Sequence, residues 1–192
     1  MAKKTRPGRL RIVAGKWRSR LLDIAEVEGL RPTAERIRET LFNWLAPSLA
    51  GSRCLDLCAG TGALGFEALS RGAKTVVFVE KSPVAARALR ANARALDAAG
   101  AEIHQDDALE FLSNERQPPF DVVFLDPPFA AAMLGELCRL LDERSLVRNG
   151  SLVYLEEDRA TPAVELPENW NLLKSKTAGN VRYSLAEVGS DA

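Results

Sequence analysis

A doubly wound α/β sheet, parallel but for an antiparallel last strand, is the fold class this sequence predicts. Three observations predict it. Short β-rich apolar runs alternate with helical periodicity from residue 53 onward. A glycine cluster follows the first of those runs, where an open α/β sheet turns tightly into its first helix. The chain closes on two β-rich runs joined by Thr177-Ala178-Gly179-Asn180, a hairpin signal that adds an antiparallel end.

Before that sheet, Arg9-Leu10-Arg11-Ile12-Val13 alternates basic and apolar residues with period two. Ala14-Gly15-Lys16 supplies a turn, and residues 17–22 alternate more weakly, so a β-hairpin is expected. One face would carry Arg9, Arg11 and Val13, and the partner strand would add Arg18 and Arg20. Residues 23–32 connect to a helix over 33–46, with Thr33 as its cap. Ile37, Leu41, Trp44 and Leu45 form its apolar stripe, and Pro47 with Gly51-Ser52 ends it.

The α/β part then reads in order. Strands are expected at 54–57, 75–80, 102–104, 122–125, 152–156, 170–176 and 181–188, seven in all. Helices are expected at 64–70, from 83 to about 98, at 107–112 and at 130–141. Ser82-Pro83 is a cap followed by proline at the first helical position, and Arg71-Gly72 is a stop.

Composition excludes several classes. At 192 residues and 46% hydrophobic content the chain suits one globular body with a small appendage. We divide it into a basic N-terminal extension, 1–30, and a core domain, 31–192. No apolar run is long enough to span a membrane, and the N-terminus lacks the apolar segment of a secretory signal. Cys54, Cys58 and Cys138 with the single His104 make no four-ligand metal site, so no metal is expected. They read as small buried hydrophobes in a reducing cytoplasm. His104 reads as a strand residue. The net charge of zero hides an asymmetry: residues 1–38 hold eleven Lys/Arg against four acids, and the first twenty residues hold no acid. A basic arm on an acidic body points to a polyanionic partner, met by Arg9, Arg11, Lys16, Arg18 and Arg20.

Two motifs carry chemistry. The first is Asp56-Leu57-Cys58-Ala59-Gly60-Thr61-Gly62-Ala63-Leu64-Gly65. It satisfies the dinucleotide pattern G-x-G-x-x-G, yet the chain barely leaves room for a substrate domain. Asp56 at the strand end makes it resemble the loop that wraps the methionine part of S-adenosylmethionine, with Gly60, Thr61 and Gly62 against the ligand. Glu80, ending the second strand, can accept the ribose hydroxyls. Asp107-Ala108, after the third strand, can meet the adenine amine, although Asp107 also fits a plain helix cap. The second motif is Asp126-Pro127-Pro128-Phe129, after the buried run 120–125. Proline has no N–H and fixes its own φ, so the chain makes a stiff corner there. That corner offers the Asp126 carboxylate, the Pro127 carbonyl and the Phe129 ring to a planar group bearing an –NH2.

Together with Arg11-Ile12-Val13-Ala14-Gly15-Lys16-Trp17-Arg18 and the segment from Arg31-Pro32-Thr33 to Trp44-Leu45, these motifs resemble the bacterial 16S ribosomal RNA guanine-N2 methyltransferase family. The likeness runs through nearly the whole chain. It implies a Rossmann-like methyltransferase that uses S-adenosyl-L-methionine, with an RNA-contacting N-terminal extension. It implies as target the guanine at position 966 of 16S ribosomal RNA, within the small subunit or an assembly intermediate. A cytoplasmic monomer is expected. Cys58 stands where many relatives carry an aromatic. The residues themselves leave the base open, since adenine-N6 methyltransferases share the D-P-P-aromatic corner. A non-catalytic RNA-binding assembly factor is the alternative of another class.

Overall fold

The computed structural model describes residues 8–25, 27, 33–114, 116–128 and 133–189. Two strands, β1 (Arg9–Arg11) and β2 (Leu21–Asp23), pair antiparallel, with Arg9 opposite Asp23 and Arg11 opposite Leu21. The expected hairpin therefore exists, but its second strand begins later than residue 17. Residues 16–19 form turns, so Arg18 and Arg20 lie on the connection rather than on the partner strand. Tertiary packing overrides the weak alternation here: Trp17 turns inward to join the core instead of extending a strand.

Helix α1 (Glu35–Leu49) follows. Thr33 does not cap it; Ala34 takes the cap position and makes no side-chain bond to the helix. Nor does Pro47 end it. Leu45 and Leu49 continue the buried stripe at i+4, and their burial carries the last turn past the proline. Phe42 and Arg38 join that stripe, whereas Trp44 is only half-buried and stacks on Tyr183 with ring centroids 5.6 Å apart.

The main sheet takes β3 (Arg53–Leu57), β4 (Thr75–Val79), β5 (Ala101–His104), β6 (Val122–Leu125), β7 (Leu152–Asp158), β8 (Trp170–Ala178) and β9 (Val181–Val188). Their order is β5-β4-β3-β6-β7-β9-β8. β9 alone runs antiparallel to its neighbours, which agrees with the sequence expectation. His104 is, as expected, a strand residue; its ring meets Phe111 edge-on at 5.2 Å. Helices α2 (Ala63–Ser70), α3 (Pro83–Ala95), α4 (Ala108–Asn114) and α5 (Leu134–Glu143) connect the parallel strands. Parallel strands covered on both faces need apolar residues throughout, and β6, Val-Val-Phe-Leu, is buried at every position.

Side chains alternate between two buried layers. Cys54, Val122, Phe124 and Tyr154 face α1, α2, α3 and the β1–β2 hairpin. Leu55, Leu57, Val123, Leu125, Val153 and Leu155 face α4 and α5. The hairpin residues Leu10, Ile12, Trp17 and Leu22 belong to the first layer. The parity fixes the site in advance. Asp56, Asp126 and Glu156 fall on the hairpin-and-α1 side of their strands, at the carboxyl ends. Cys54 and Cys138 are buried as expected, but Cys58 is only half-buried and adopts a left-handed φ of 68° in the glycine loop. Among the described residues no helix is long and apolar enough to cross a membrane.

Candidate active site at the strand ends

β3 and β6 are neighbours, and the chain leaves them in opposite directions along the sheet, to β4 and to β7. Ligands bind in open α/β sheets at such a switch point, outside the carboxyl ends of the strands. Asp56 and Asp126 both sit there.

Asp56 is 3% exposed, and its Oδ2 accepts the Gly65 N–H at 2.8 Å. Burial pushes its carboxyl up to about 8; the Gly65 bond eases this, and the charges of Asp126 and Glu80 add to it. Gly65 must be glycine, because a Cβ would stand 2.2 Å from the Phe78 ring and 2.9 Å from Asp56 Oδ2. Gly60 and Gly62 turn the loop with φ of 53° and 76°, where L side chains are strained. Thr61, between them, is buried.

Glu80 shapes the loop it faces. Its Oε2 accepts the Gly60 N–H at 2.8 Å and its Oε1 the Ser82 N–H at 2.7 Å. Each oxygen keeps a second lone pair for a hydroxyl. Asp107 lies after β5, accepts the Leu109 N–H at 2.9 Å, and pairs with the exposed Lys81 at 2.9 Å. It thus serves the start of α4, and Lys81 and that backbone bond hold its carboxyl below the ordinary value. Ala108 beside it is buried.

Asp126 is half-buried and Pro127 buried. Thr33 donates to Asp126 Oδ2 at 3.2 Å. Burial nevertheless raises this carboxyl, to about 6. Among the described residues no N–H donates to the Pro127 carbonyl. Pro127 and Pro128 also border a cavity of about 240 Å³ between α5 and the end of β7. Phe129 lies outside the described residues. Behind Asp126 stands Glu156, 4% exposed, whose Oε1 accepts the Tyr154 hydroxyl at 2.7 Å. Nothing in the sequence pattern assigns Glu156 or Tyr154 a role. Three acids closing an otherwise apolar strand, Glu156-Glu157-Asp158, were the signal present.

Among the described residues no ion pair reaches Asp56, Glu80, Asp126 or Glu156. A cleft of acids without a protein cation suits a ligand that brings positive charge, hydroxyls and an amine. S-adenosylmethionine, with its ammonium, sulfonium, ribose and adenine, has that donor set, and Asp56 and Glu80 fit it; Asp107, already paired with Lys81, keeps lone pairs for the adenine amine.

The basic arm is docked onto the helix that leaves the glycine loop. Glu67 of α2, fully buried, accepts the Val13 N–H at 2.9 Å and the Ala14 N–H at 3.0 Å. It also pairs with Arg38 at 3.1 Å and Arg71 at 2.7 Å. Ser70 accepts the Trp17 N–H and donates to the Ala14 carbonyl. Gly15 packs so closely that a Cβ would meet the Ser70 carbonyl oxygen at 1.9 Å. Arg9, Arg11, Lys16, Arg18 and Arg20 all remain exposed. Arg9 faces Asp23 at 3.6 Å, Arg20 donates to the Ala95 carbonyl, and Lys16 lies over the Trp17 ring.

Comparison with known proteins agrees with this geometry. The family described as Conserved hypothetical protein 95 matches residues 10–187. Ribosomal RNA small subunit methyltransferase D of Haemophilus influenzae is 47% identical over 181 residues, 93% of each chain. The protein of that name from Escherichia coli K12 is 40% identical over 189 residues, 96% of this chain and 95% of its own. A solved Escherichia coli structure, provisionally named methyltransferase yhhF, matches with a TM-score of 0.89 at 36% identity, covering 96% of this chain and 100% of its own. The chain therefore belongs to the Conserved hypothetical protein 95 family, alongside the ribosomal RNA small subunit methyltransferase D proteins.

Proposed function

We propose that this protein methylates the exocyclic N2 amine of a guanine in 16S ribosomal RNA, the guanine at position 966, with S-adenosyl-L-methionine as donor. The observation that carries the reading is Asp126: a half-buried carboxylate without a protein cation, beside a Pro127 carbonyl to which no described N–H donates. The names and whole-length similarity of the relatives support RNA as the substrate class.

The cofactor supplies an electrophilic methyl group. Asp56 meets its ammonium, directly or through water, the turn at Gly60 and Gly62 lets it approach the backbone, and Glu80 accepts its ribose hydroxyls. Asp107, with Ala108, meets the adenine. Asp126 and the Pro127 carbonyl each accept one hydrogen of the guanine amine. That holds the nitrogen lone pair toward the methyl group and stabilises the positive charge that develops on nitrogen. The amine proton released after transfer goes to Asp126 or to water. Phe129 supplies a stacking face for a base outside a helix, in a loop or flipped. Arg9, Arg11, Lys16, Arg18 and Arg20 contact phosphates, which gives affinity without reading sequence. In this reading residues 1–30 are the RNA-contacting extension and 31–192 the catalytic domain.

Labelled methyl transfer to small-subunit particles, naked 16S RNA and duplex DNA, followed by nucleoside analysis, tests the proposal. N2-methylguanosine from an RNA-containing substrate is expected. N6-methyladenosine, or no product with any substrate, would overturn it.

A further inference from the structure

The proposed reaction gives Asp126 a task but leaves open what aims its carboxylate. Among the described residues one group donates to that carboxylate: the Thr33 hydroxyl, 3.2 Å from Oδ2. Thr33 stands just ahead of α1, and its hydroxyl does not cap the helix. Its carbonyl accepts the Arg38 Nε–H at 3.2 Å. Arg38 lies in the first turns of α1 and is 2% exposed. Its guanidinium also donates from Nη1 to Glu67 Oε2 at 3.1 Å and from Nη2 to the Arg11 carbonyl at 3.0 Å. One rigid group therefore meets three parts of the chain: the residue ahead of α1, the middle of α2, and β1.

Two of these contacts are anchors. Glu67 is fully buried, balances the Arg38 charge, and is itself held by Arg71 and by the Val13 and Ala14 N–H groups. The Arg11 carbonyl belongs to the strand pair of the arm. The third contact, to Thr33, leads on to Asp126. The ion pair of Arg38 is with Glu67, so what Arg38 passes to Asp126 is geometry rather than charge.

We propose that Arg38 is a positioning residue for methyl transfer. Anchored on Glu67 and on the Arg11 carbonyl, its guanidinium fixes the Thr33 backbone. The Thr33 hydroxyl then holds Oδ2 of Asp126 and leaves Oδ1 to the substrate amine. The same guanidinium fixes the arm, so the phosphate-contacting arm and the amine-accepting corner share one point of reference. A guanidinium suits this task because its donors stand in a fixed planar fork. A lysine offers one nitrogen, which cannot occupy the three places of Nε, Nη1 and Nη2. This inference rests on the reading of Asp126 as the amine acceptor.

The test is single-turnover methylation at saturating S-adenosylmethionine with RNA titrated, which separates the maximal rate from RNA half-saturation. Thr33→Val leaves the buried ion pair intact. It should lower the maximal rate roughly 10- to 100-fold, the loss expected for one hydrogen bond to a charged group. Thr33→Ser should recover most of that rate. Arg38→Lys keeps a cation beside Glu67 and should show a loss of the same order, with RNA half-saturation and calorimetric cofactor affinity little changed. Should it fail to fold, Arg38→Gln, which leaves Glu67 to Arg71 and the arm, reads the same loss. Because Arg38 acts through Thr33, adding the Arg38 change to Thr33→Val should slow the enzyme no further, whereas two separate structural losses would multiply. A Thr33→Val or Arg38 variant with the wild-type maximal rate would overturn the inference. So would losses that multiply in the double variant, or a loss that falls on RNA half-saturation instead. If Asp126→Ala itself turned over normally, the reading of Asp126 would be at fault and the inference would fall with it.

Discussion

Asp56 and Gly65 join the end of β3 to the first turn of α2 through a 2.8 Å hydrogen bond from the Gly65 N–H to Oδ2. The acid that the proposed cofactor needs is thus the acid that shapes the cofactor loop. The tightness of Gly65 against both Phe78 and Asp56 makes the junction a single unit.

Gly65→Ala should therefore disturb fold and site together. Overpacking of this kind costs about 1–3 kcal/mol. The displaced Asp56 should also weaken S-adenosylmethionine affinity beyond what the stability loss explains. Urea unfolding and calorimetric titration of the same variant separate the two effects. Unchanged affinity in a destabilised variant would detach Asp56 from the cofactor.

Asp56, Asp126 and Glu156 all have carboxyls raised by burial, to about 8, 6 and 8. An acid whose folded value exceeds its unfolded value holds its proton longer in the folded state. Its stabilisation is complete below the unfolded value and is lost as pH rises through the folded one. Each such group contributes a slope of at most about 1.4 kcal/mol per pH unit. The cofactor-free protein should thus be more stable to urea near pH 5 than near pH 8. Asp56→Asn, which keeps an acceptor for Gly65, should flatten the profile. Stability that rises over this range would contradict the buried neutral acids.

The sheet was legible because its central parallel strands, buried on both faces, must be apolar runs, and those of β4, β6 and β7 lead straight into Glu80, Asp126 and Glu156. Asp56, Glu80, Asp107 and Asp126 could be placed by their position after those runs. Thr33 was not legible: a threonine before an amphipathic helix has the signature of a cap, and only tertiary folding brings it to Asp126, 93 residues away in sequence. Glu67 was hidden for a related reason. A carboxylate in a small helix looks solvated until Arg38, Arg71 and two arm N–H groups converge on it.

The docking of the arm on α2 bears on the proposed contact with RNA. Glu67 and Ser70 hold the backbone between β1 and β2, so the basic side chains project from a fixed support. Replacing Arg9, Arg11, Arg18 and Arg20 together should weaken RNA binding and flatten its salt dependence. The log–log slope should drop by roughly 0.7–0.9 for each phosphate that the variant no longer neutralises. Cofactor affinity should stay as it was. An unchanged salt slope would show that the arm does not touch phosphate.

The corner at Asp126 carries the sharpest expectation. Guanine N2 is a weak nucleophile because its lone pair is delocalised into the ring. In the proposed reaction the site compensates by accepting both amine hydrogens and by presenting a negative charge where positive charge develops. Asp126→Ala removes one acceptor and that charge, and should lower kcat on the order of 10²-fold or more. Its cofactor affinity should stay close to wild type, since Asp56 and Glu80 hold the loop without it. Asp126→Asn keeps an acceptor oxygen and loses the charge, so partial activity is expected. Single-turnover kinetics with calorimetry on both variants make the check. An Asp126→Ala enzyme that methylates guanine N2 at the wild-type rate would reduce the Asp-Pro-Pro corner to a turn in the chain.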